Sequence, residues 1–227
     1  MKLTFLGHAC FDLFDGKYHV LTDPFLTGNA LAAAKADEVP ADFICVSHNH
    51  GDHIGDAIAI AKRTGATVVG VAEQAGLMGE NGVTAALGNL GGWIPLPFGR
   101  VKLVQAIHGS GLPGALACGF VIEIGGKKIY HAGDTAFYSD MALLADEKLD
   151  AALLPIGDFY TMGPVDAARA AKVIGAKVTV PMHYNTFPPI KQDPAAFATL
   201  CEGSSKVVVL APGESVDTPM RICLHST

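Results

Sequence analysis

The sequence predicts an α+β fold in which two β-sheets pack face to face and helices cover their outer sides. Strand-like segments alternate with helix-like segments in both halves of the chain, which is the pattern of layered sheets and helices. Of the 227 residues, 50% are hydrophobic and 17% are charged, which is enough apolar material for a sizeable core. No linker, low-complexity tract or short repeat divides the chain. We therefore expect a single domain over residues 1–227.

The first part of the chain contains mostly strand signals. Asp15-Gly16 is a predicted hairpin turn between two of the strands. Alternating or continuously apolar segments predict strands at Lys2–Leu6, Cys10–Phe14, Tyr18–Thr22, Phe43–Val46 and Ala66–Val71. Apolar residues at helical spacing predict a helix from Ile54 to Thr64, which ends at Gly65.

A second series of strands and helices begins near Gly91-Gly92. The predicted strands are Arg100–Ile107, Cys118–Ile124, Lys127–His131, Ala151–Ile156, Lys177–Val180 and Val207–Leu210, with Gly125-Gly126 as a hairpin turn. The predicted helices are Phe137–Glu147, Pro164–Ile174 and Ala195–Cys201. Asp193-Pro194 is a favourable N-cap and first-turn pair for the last of them.

Composition and charge narrow the function classes. A formal net charge of −6 does not favour a nonspecific nucleic-acid binder, which usually has a basic face. No segment approaches the roughly 18 continuous apolar residues of a membrane span, and the start of the sequence lacks a signal-peptide pattern. Five widely spaced cysteines, mostly within apolar segments, predict reduced core thiols: Cys10, Cys45, Cys118, Cys201 and Cys223. We therefore expect a cytoplasmic protein with no membrane partner.

The segment SHNHGDHIG, residues 47 to 55, carries four potential metal ligands. His48, His50, Asp52 and His53 directly follow the buried strand Phe43–Val46. Side chains in such a position lie at the carboxyl edge of a sheet, where open α/β folds bind ligands. Imidazole and carboxylate ligands suit zinc, manganese, iron or nickel, and the lack of a nearby cysteine argues against a purely structural zinc site. A soluble loop with fortuitous histidines is the alternative.

Three later segments repeat the same pattern, in which a strand ends at a His or Asp beside Gly or Pro. These segments are VKLVQAIHGSG, KIYHAGDT and KVTVPMHYN, and they supply His108, Asp134 and His183. Each of the three residues alone would more often be an ordinary polar group of the surface or core than a ligand. Together with the first segment they make seven ligands, which is about the number that two metals with open positions need.

The sequence resembles the metallo-β-lactamase superfamily. SHNHGDH matches the H-x-H-x-D-H signature, and GHACF, TDPFLTGN, HAGDTAFYSDM, PIGDFYTMGPVDAA and MHYNTFP resemble the small UPF0173 metal-dependent hydrolases, which are relatives of the ascorbate-6-phosphate lactonases. The resemblance implies a four-layered αβ/βα sandwich, the metallo-β-lactamase fold. It also implies that His48, His50 and His108 hold a first metal. Asp52, His53 and His183 would hold the second, with Asp134 bridging or on the second.

Five further residues are candidates for supporting or substrate-binding roles. Asp23 matches the superfamily position that accepts hydrogen bonds from ligand imidazoles, although a loop-capping Asp before Pro24 is the alternative. His8 is either a substrate-binding or acid group in the pocket or a structural histidine. Asp158, Tyr160 and Thr161 follow a buried strand and either line the pocket or belong to a solvated loop.

These observations predict a metal-dependent hydrolase with two divalent transition metals, zinc first, with manganese, iron or nickel as alternatives. Metal binding lowers the pKa of water toward about 7, so that a hydroxide can attack an ester, lactone or phosphoester at neutral pH. Asp52 is the expected catalytic residue. The expected substrate is a small molecule, and anionic small molecules are among the candidates. A phosphodiesterase or nuclease of the same superfamily and a non-catalytic metal-binding protein are the alternatives. A homo-oligomer is compatible with the sequence.

Overall fold

The structure is a computed structural model that describes residues 1–217 of the chain. Its strands, numbered in chain order, are β1 (Lys2–Gly7), β2 (Cys10–Phe14), β3 (His19–Thr22), β4 (Phe43–Cys45), β5 (Thr67–Val71), β6 (Ala85–Gly88), β7 (Trp93–Leu96), β8 (Gly99–Gln105), β9 (Cys118–Ile124), β10 (Lys127–His131), β11 (Ala151–Pro155), β12 (Thr179–Met182) and β13 (Ser215–Asp217). The helices are α1 (Gly51–Ile54), α2 (Ala57–Thr64), α3 (Ala75–Glu80), α4 (Pro164–Ile174) and α5 (Pro194–Leu200). Short 3₁₀ helices cover Ala72–Gln74, Ser139–Glu147 and Pro188–Ile190.

The strands form two mixed sheets. The first sheet has the order β13-β1-β2-β3-β4-β5-β6, and the second has the order β12-β11-β10-β9-β8-β7. In the first sheet the pairs from β3 to β6 are parallel and the others are antiparallel. In the second sheet β10, β11 and β12 are parallel, and the remaining pairs are antiparallel.

The main core lies between the two sheets, and helices cover their outer faces. Successive residues of β4 point to opposite faces, as the two-residue period of a strand requires. Phe43 and Cys45 belong to the core shared with the second sheet, whereas Ile44 belongs to a second cluster with Ile60 of α2. On the other side of the molecule α4 packs on β11. The predicted α+β sandwich is confirmed.

Local differences from the sequence prediction have identifiable causes. The helix predicted from Ile54 to Thr64 is interrupted at Gly55, which has a φ of +34° and where a Cβ would lie 2.5 Å from the Pro24 carbonyl oxygen. Asp56 then accepts hydrogen bonds from the Leu26 and Thr27 amides at 3.0 and 2.8 Å, so this break ties the helix to the loop after β3. The segment predicted as a helix from Phe137 to Glu147 is a 3₁₀ helix that begins at Ser139.

The four cysteines within the described residues are buried free thiols, as predicted, while Cys223 lies outside those residues. Over the same residues, every helix is too short or too polar to cross a lipid bilayer.

Candidate metal centre

The predicted ligands converge because each follows the carboxyl end of a strand. His48 and His50 come just after β4, and Asp52 and His53 lie in the single turn of α1 that follows them. The other strand ends contribute His108 after β8, Asp134 after β10 and His183 after β12. Two further polar residues occupy equivalent positions in the first sheet, namely His8 after β1 and Asp23 after β3.

The ligand atoms of these residues fall into three overlapping groups. Within each group, one atom of every residue lies within 4.8 Å of an atom of every other: His48, His50 and His108; His48, His53 and Asp134; and His8, Asp52, His53 and His183. The structure therefore brings together all seven predicted ligands and adds His8 to them.

Asp134 lies at the middle of this arrangement. Its Oδ1 is 3.2 Å from Nε2 of His53, and its Oδ2 is 3.2 Å from Nε2 of His183 and 3.5 Å from Nε2 of His108. Asp52 faces the same space, with its Oδ2 3.7 Å from Nε2 of His183. One carboxylate thus reaches imidazoles from both ends of the cluster, which is the placement that a bridging ligand requires.

Several polar atoms of the cluster are buried without a hydrogen-bond partner. They are Nε2 of His53, Oδ1 of Asp134, and both ring nitrogens of His183. Buried polar groups are nearly always satisfied in proteins, because leaving one unpaired costs about 1–3 kcal/mol. Imidazole nitrogens and carboxylate oxygens that face one another without bonding are satisfied by a cation placed between them. The donor set therefore fits a transition metal.

Asp23 contacts the cluster on the side of the Nδ1 atom of His53, opposite the Nε2 atom that faces Asp134. Its carboxylate is fully buried and accepts hydrogen bonds from the Ser47 amide at 2.7 Å, from the Ser47 hydroxyl at 2.6 Å and from Nδ1 of His53 at 2.8 Å. Oγ of Ser47 is also 2.9 Å from Nδ1 of His48. A hydrogen bond at Nδ1 leaves Nε2 free to bind a metal, and such contacts orient metal-ligating histidines.

His8 forms a chain with Asp52 on the other side of the cluster. Its Nε2 is 3.2 Å from Oδ2 of Asp52, and its Nδ1 is 2.9 Å from Oγ1 of Thr186. The His8 side chain is buried, and its ring centroid is 4.0 Å from that of His183. His8 adopts a φ of +57°, and its carbonyl accepts a hydrogen bond from the His183 amide. The GHACF turn is thus bound directly to the loop that carries the last predicted ligand.

The electrostatic environment favours positive charge at the centre. Burial opposes ionisation of Asp134, but the neighbouring His53 and His183 hold its pKa well below the usual range. Burial also opposes the charged form of His53, but the negative charges of Asp134 and Asp23 outweigh burial, and the net result is a raised pKa of His53. The pKa of His48 falls to about 3, chiefly through burial, so this imidazole is neutral at pH 7. Ionised carboxylates and neutral imidazoles are the states that metal binding needs, and a metal bound there would take the place of the proton on His53.

Asp158 and Thr161 lie in the loop after β11, where their hydrogen bonds are internal to the loop. The Asp158 carbonyl accepts from the Thr161 amide at 3.1 Å, and the Thr161 hydroxyl donates to the Met162 carbonyl at 3.3 Å. Asp158 is exposed, and neither residue is among those that line the cavity beside the cluster. Tyr160, which lies between them in the sequence, does line that cavity.

Two histidines outside the cluster have ordinary structural partners. His131 binds the Ala9 carbonyl through Nε2 at 2.8 Å and accepts from the Gly133 amide at 3.1 Å. His19 is paired with Asp12 at 3.0 Å.

Three residues around the cluster belong to none of the candidates predicted from the sequence. Thr186 contacts His8, and Phe25 and Phe187 line the cavity. Their only sequence signal is that they lie in Pro- and Gly-containing loops, DPFLTGN and NTFPP, directly after strands whose ends carry site residues.

Comparison with known proteins agrees with this architecture. Residues 2–183 match the family described as "Beta-lactamase superfamily domain". A UPF0173 metal-dependent hydrolase of Symbiobacterium thermophilum is 50% identical over 221 residues, which cover 95% of this chain and 99% of the relative. One of Heliobacterium modesticaldum is 50% identical over 230 residues, with 95% and 97% covered. The solved structure of Igni18, a metallo hydrolase from the archaeon Ignicoccus hospitalis, has a TM-score of 0.89 and 36% identity, with 95% of this chain and 97% of that chain covered. The chain therefore belongs to the β-lactamase superfamily and, within it, to the UPF0173 metal-dependent hydrolases.

Proposed function

We propose that the protein is a hydrolase that uses two divalent transition metals, zinc in the first place, to cleave a small ester, lactone or phosphoester. The observation that carries the proposal is the convergence of seven His and Asp side chains from separate strand ends, among which buried imidazole nitrogens and a carboxylate oxygen lack hydrogen-bond partners. Membership of a family of metal-dependent hydrolases supports it.

The three groups of ligand atoms support a division into two metal positions. His48, His50 and His108 form one group that contains only imidazoles. Asp52, His53 and His183 belong to another group, and Asp134 lies between the two. When bound, two such metals lower the pKa of water toward neutrality and polarise the substrate oxygen that develops negative charge.

Asp52 is the residue to which we assign proton acceptance. Its side chain is 26% accessible, whereas those of His53 and His183 are almost completely buried, so it can meet both the cluster and water in the cavity. Burial opposes its ionisation, but the nearby imidazoles of His183 and His8, of which His8 is hydrogen-bonded to it, hold its pKa well below the usual range. The carboxylate is therefore ionised at neutral pH and can accept a hydrogen bond from the attacking water. Thr186 and His8 fix its orientation, because His8 bonds to both.

The proposal is tested by metal content and by the Asp52→Asn variant. Protein purified without chelator should contain up to two transition metals per chain, and His48→Ala or Asp134→Ala should lower that number. Asp52→Asn keeps the side-chain shape but removes the charge, so hydrolysis of an identified substrate should fall by roughly two to four orders of magnitude, the usual contribution of a positioned acid or base.

The matched control is Asp12→Asn. Asp12 is paired with His19 on the first sheet, away from the cluster, so this variant should keep the activity and the metal content of the wild type. Full metal retention in both ligand variants would contradict the metal assignment. An Asp52→Asn variant with wild-type turnover would contradict the role of this carboxylate as the proton acceptor.

A further inference from the structure

A cavity of about 750 Å³ opens over the metal centre, and its two sides differ in chemistry. One side consists of members of the cluster, including Asp52 and His108. The other side consists of Phe25, Phe187 and Pro189, and Tyr160 completes it. The scissile bond of a substrate must lie on the first side, so the second side meets the part of the substrate that does not react.

The aromatic side is a preformed surface. The rings of Phe25 and Phe187 are stacked, with centroids 6.0 Å apart and an angle of 29° between their planes. Both rings meet His8 edge-on, at 5.6 and 5.5 Å, and His8 is itself bonded to Asp52. Rings held in this way present a rigid apolar surface at a fixed distance from the reacting centre.

A second aromatic pair includes Tyr160, which also lines the cavity. Phe159 and Tyr160 form an edge-to-face pair with centroids 4.7 Å apart, yet they are 73% and 53% exposed. Asp158 and Phe159 hold φ values of +60° and +49°, which residues other than glycine rarely adopt. Exposed aromatic residues on a strained backbone at a cavity mouth are typical of a binding surface.

The charge of the cavity walls excludes one class of substrate. Among the described residues that line the cavity there is no Lys or Arg, and the acidic ones, Asp52 and Asp134, face the cluster. A phosphate or carboxylate on the non-reacting part of a substrate would lose its hydration against phenyl rings without meeting a cation. Such burial of an unpaired charge is strongly unfavourable. An uncharged apolar group would instead gain by leaving water.

We propose that the substrate is an uncharged ester or lactone whose non-reacting part is an apolar aliphatic or aromatic group that packs on Phe25 and Phe187. This inference rests on the proposed hydrolase function, and it departs from the phosphorylated substrates that the family resemblance suggests. In the reaction, the oxygen of water bonds to the acyl carbon and the bond from that carbon to the leaving oxygen breaks. One proton of water goes to the leaving alcohol, and the other is released as the acid product ionises.

The test compares two chromogenic esters that differ only at the end of the acyl chain. Para-nitrophenyl valerate ends in a methyl group, whereas mono-para-nitrophenyl glutarate has the same chain length and ends in a carboxylate. With zinc-loaded protein, kcat/KM for the valerate should exceed that for the glutarate by about tenfold or more. Phe187→Ala should lower kcat/KM for the valerate by about tenfold, mainly through KM, and should reduce the preference. Phe187→Lys should shift the preference toward the glutarate.

Two further variants separate the cavity wall from general effects. Tyr160→Ala changes an exposed side chain, so the variant should fold. Because Tyr160 lines the cavity, the variant should also lose part of the valerate preference, but less than Phe187→Ala does. Phe14→Ala removes an aromatic ring that stacks on His19, outside the cavity, and should leave the preference unchanged. Zinc content is measured in each variant, because Phe187 also contacts His8.

Equal activity on the two esters, or a preference for the glutarate, would overturn the proposed substrate class. If the zinc-loaded protein hydrolyses neither ester, the proposed ester hydrolysis fails, and binding decides the substrate class separately. Saturation-transfer NMR with valeranilide and glutaric acid monoanilide, which are resistant to hydrolysis, should then show selective binding of the valeranilide that Phe187→Lys abolishes. Binding without that selectivity, or no binding of either anilide, would refute the apolar-substrate proposal.

Discussion

Replacing Asp23 by asparagine tests whether this buried carboxylate sets the tautomer and the orientation of the imidazoles that face the centre. Burial opposes ionisation of Asp23, but His53 and the neighbouring histidines lower its pKa to about 2, so the buried group is a carboxylate at neutral pH. It accepts hydrogen bonds from the Ser47 amide and hydroxyl and from Nδ1 of His53. An asparagine oxygen can still accept from the Ser47 amide, but its NH2 group then faces Nδ1 of His53.

The size of the effect follows from the tautomer of His53. An amide that donates to Nδ1 forces the ring proton onto Nε2, which is the atom that faces Asp134. A protonated Nε2 cannot bind a metal. Changing a partner that orients a metal-ligating histidine usually costs 10- to 100-fold in metal affinity, which corresponds to about 1.4–2.7 kcal/mol. Loss of a charged acceptor from a fully buried position should also lower the stability of the metal-free protein, by about 1.5–3 kcal/mol.

Zinc affinity is measured by competition with a chromophoric chelator, and the stability of the metal-free protein by urea unfolding. The matched control is again Asp12→Asn, because Asp12 is a partly accessible carboxylate that pairs with Nδ1 of His19 at 3.0 Å, far from the cluster. The control should leave zinc affinity unchanged. The reasoning is refuted if Asp23→Asn binds zinc as tightly as the wild type, or if the control weakens zinc binding equally.

Three other changes have defined outcomes. Removing the metals with chelator should lower the thermal midpoint of unfolding measured by calorimetry. Zinc at one hundred times its Kd should restore about 2.7 kcal/mol of unfolding free energy per site. A midpoint insensitive to zinc would contradict this. Gly133→Ala should destabilise the fold by about 2–4 kcal/mol in urea unfolding, because Gly133 has a φ of +60° and a Cβ there would lie 2.7 Å from the Cys118 carbonyl oxygen. Burial opposes ionisation of Glu147, but Lys102 and Lys128 outweigh burial and lower the pKa of this carboxyl below its ordinary value of 4.5. The ion pairs of Glu147 therefore stabilise the protein above pH 4.5, and this stabilisation is lost as the pH falls through the lowered pKa. Glu147→Gln should therefore flatten the loss of stability in acid-unfolding curves below about pH 4.5, and an unchanged curve would show that the pairs contribute nothing.

Some predictions failed because short edge strands depend on their neighbours. Ala85–Gly88 has no strand signal of its own, yet it pairs with β5 at the edge of the first sheet. Val207–Leu210 has a clear strand signal, but within the described residues only Val207 pairs, through an isolated bridge to Thr179. In both cases, whether a segment becomes a strand depends on whether a neighbouring strand has free backbone N–H and C=O groups to pair with. The composition of the segment itself does not determine this.

The sequence by itself determined which residues could bind metal and where each lies along its strand, because those features are local. A buried strand followed by a Gly- or Pro-containing segment places its last polar side chain at the sheet edge, and this holds for the segment around His48 as well as for Asp134 and His183. Only the tertiary structure decided which side chains meet. His8 and Thr186 are 178 positions apart in sequence, yet they bond to each other, and Phe25 stacks on Phe187 across a similar separation. Such pairs form because two sheets bring distant loops to one edge, and no periodicity within either loop encodes its partner.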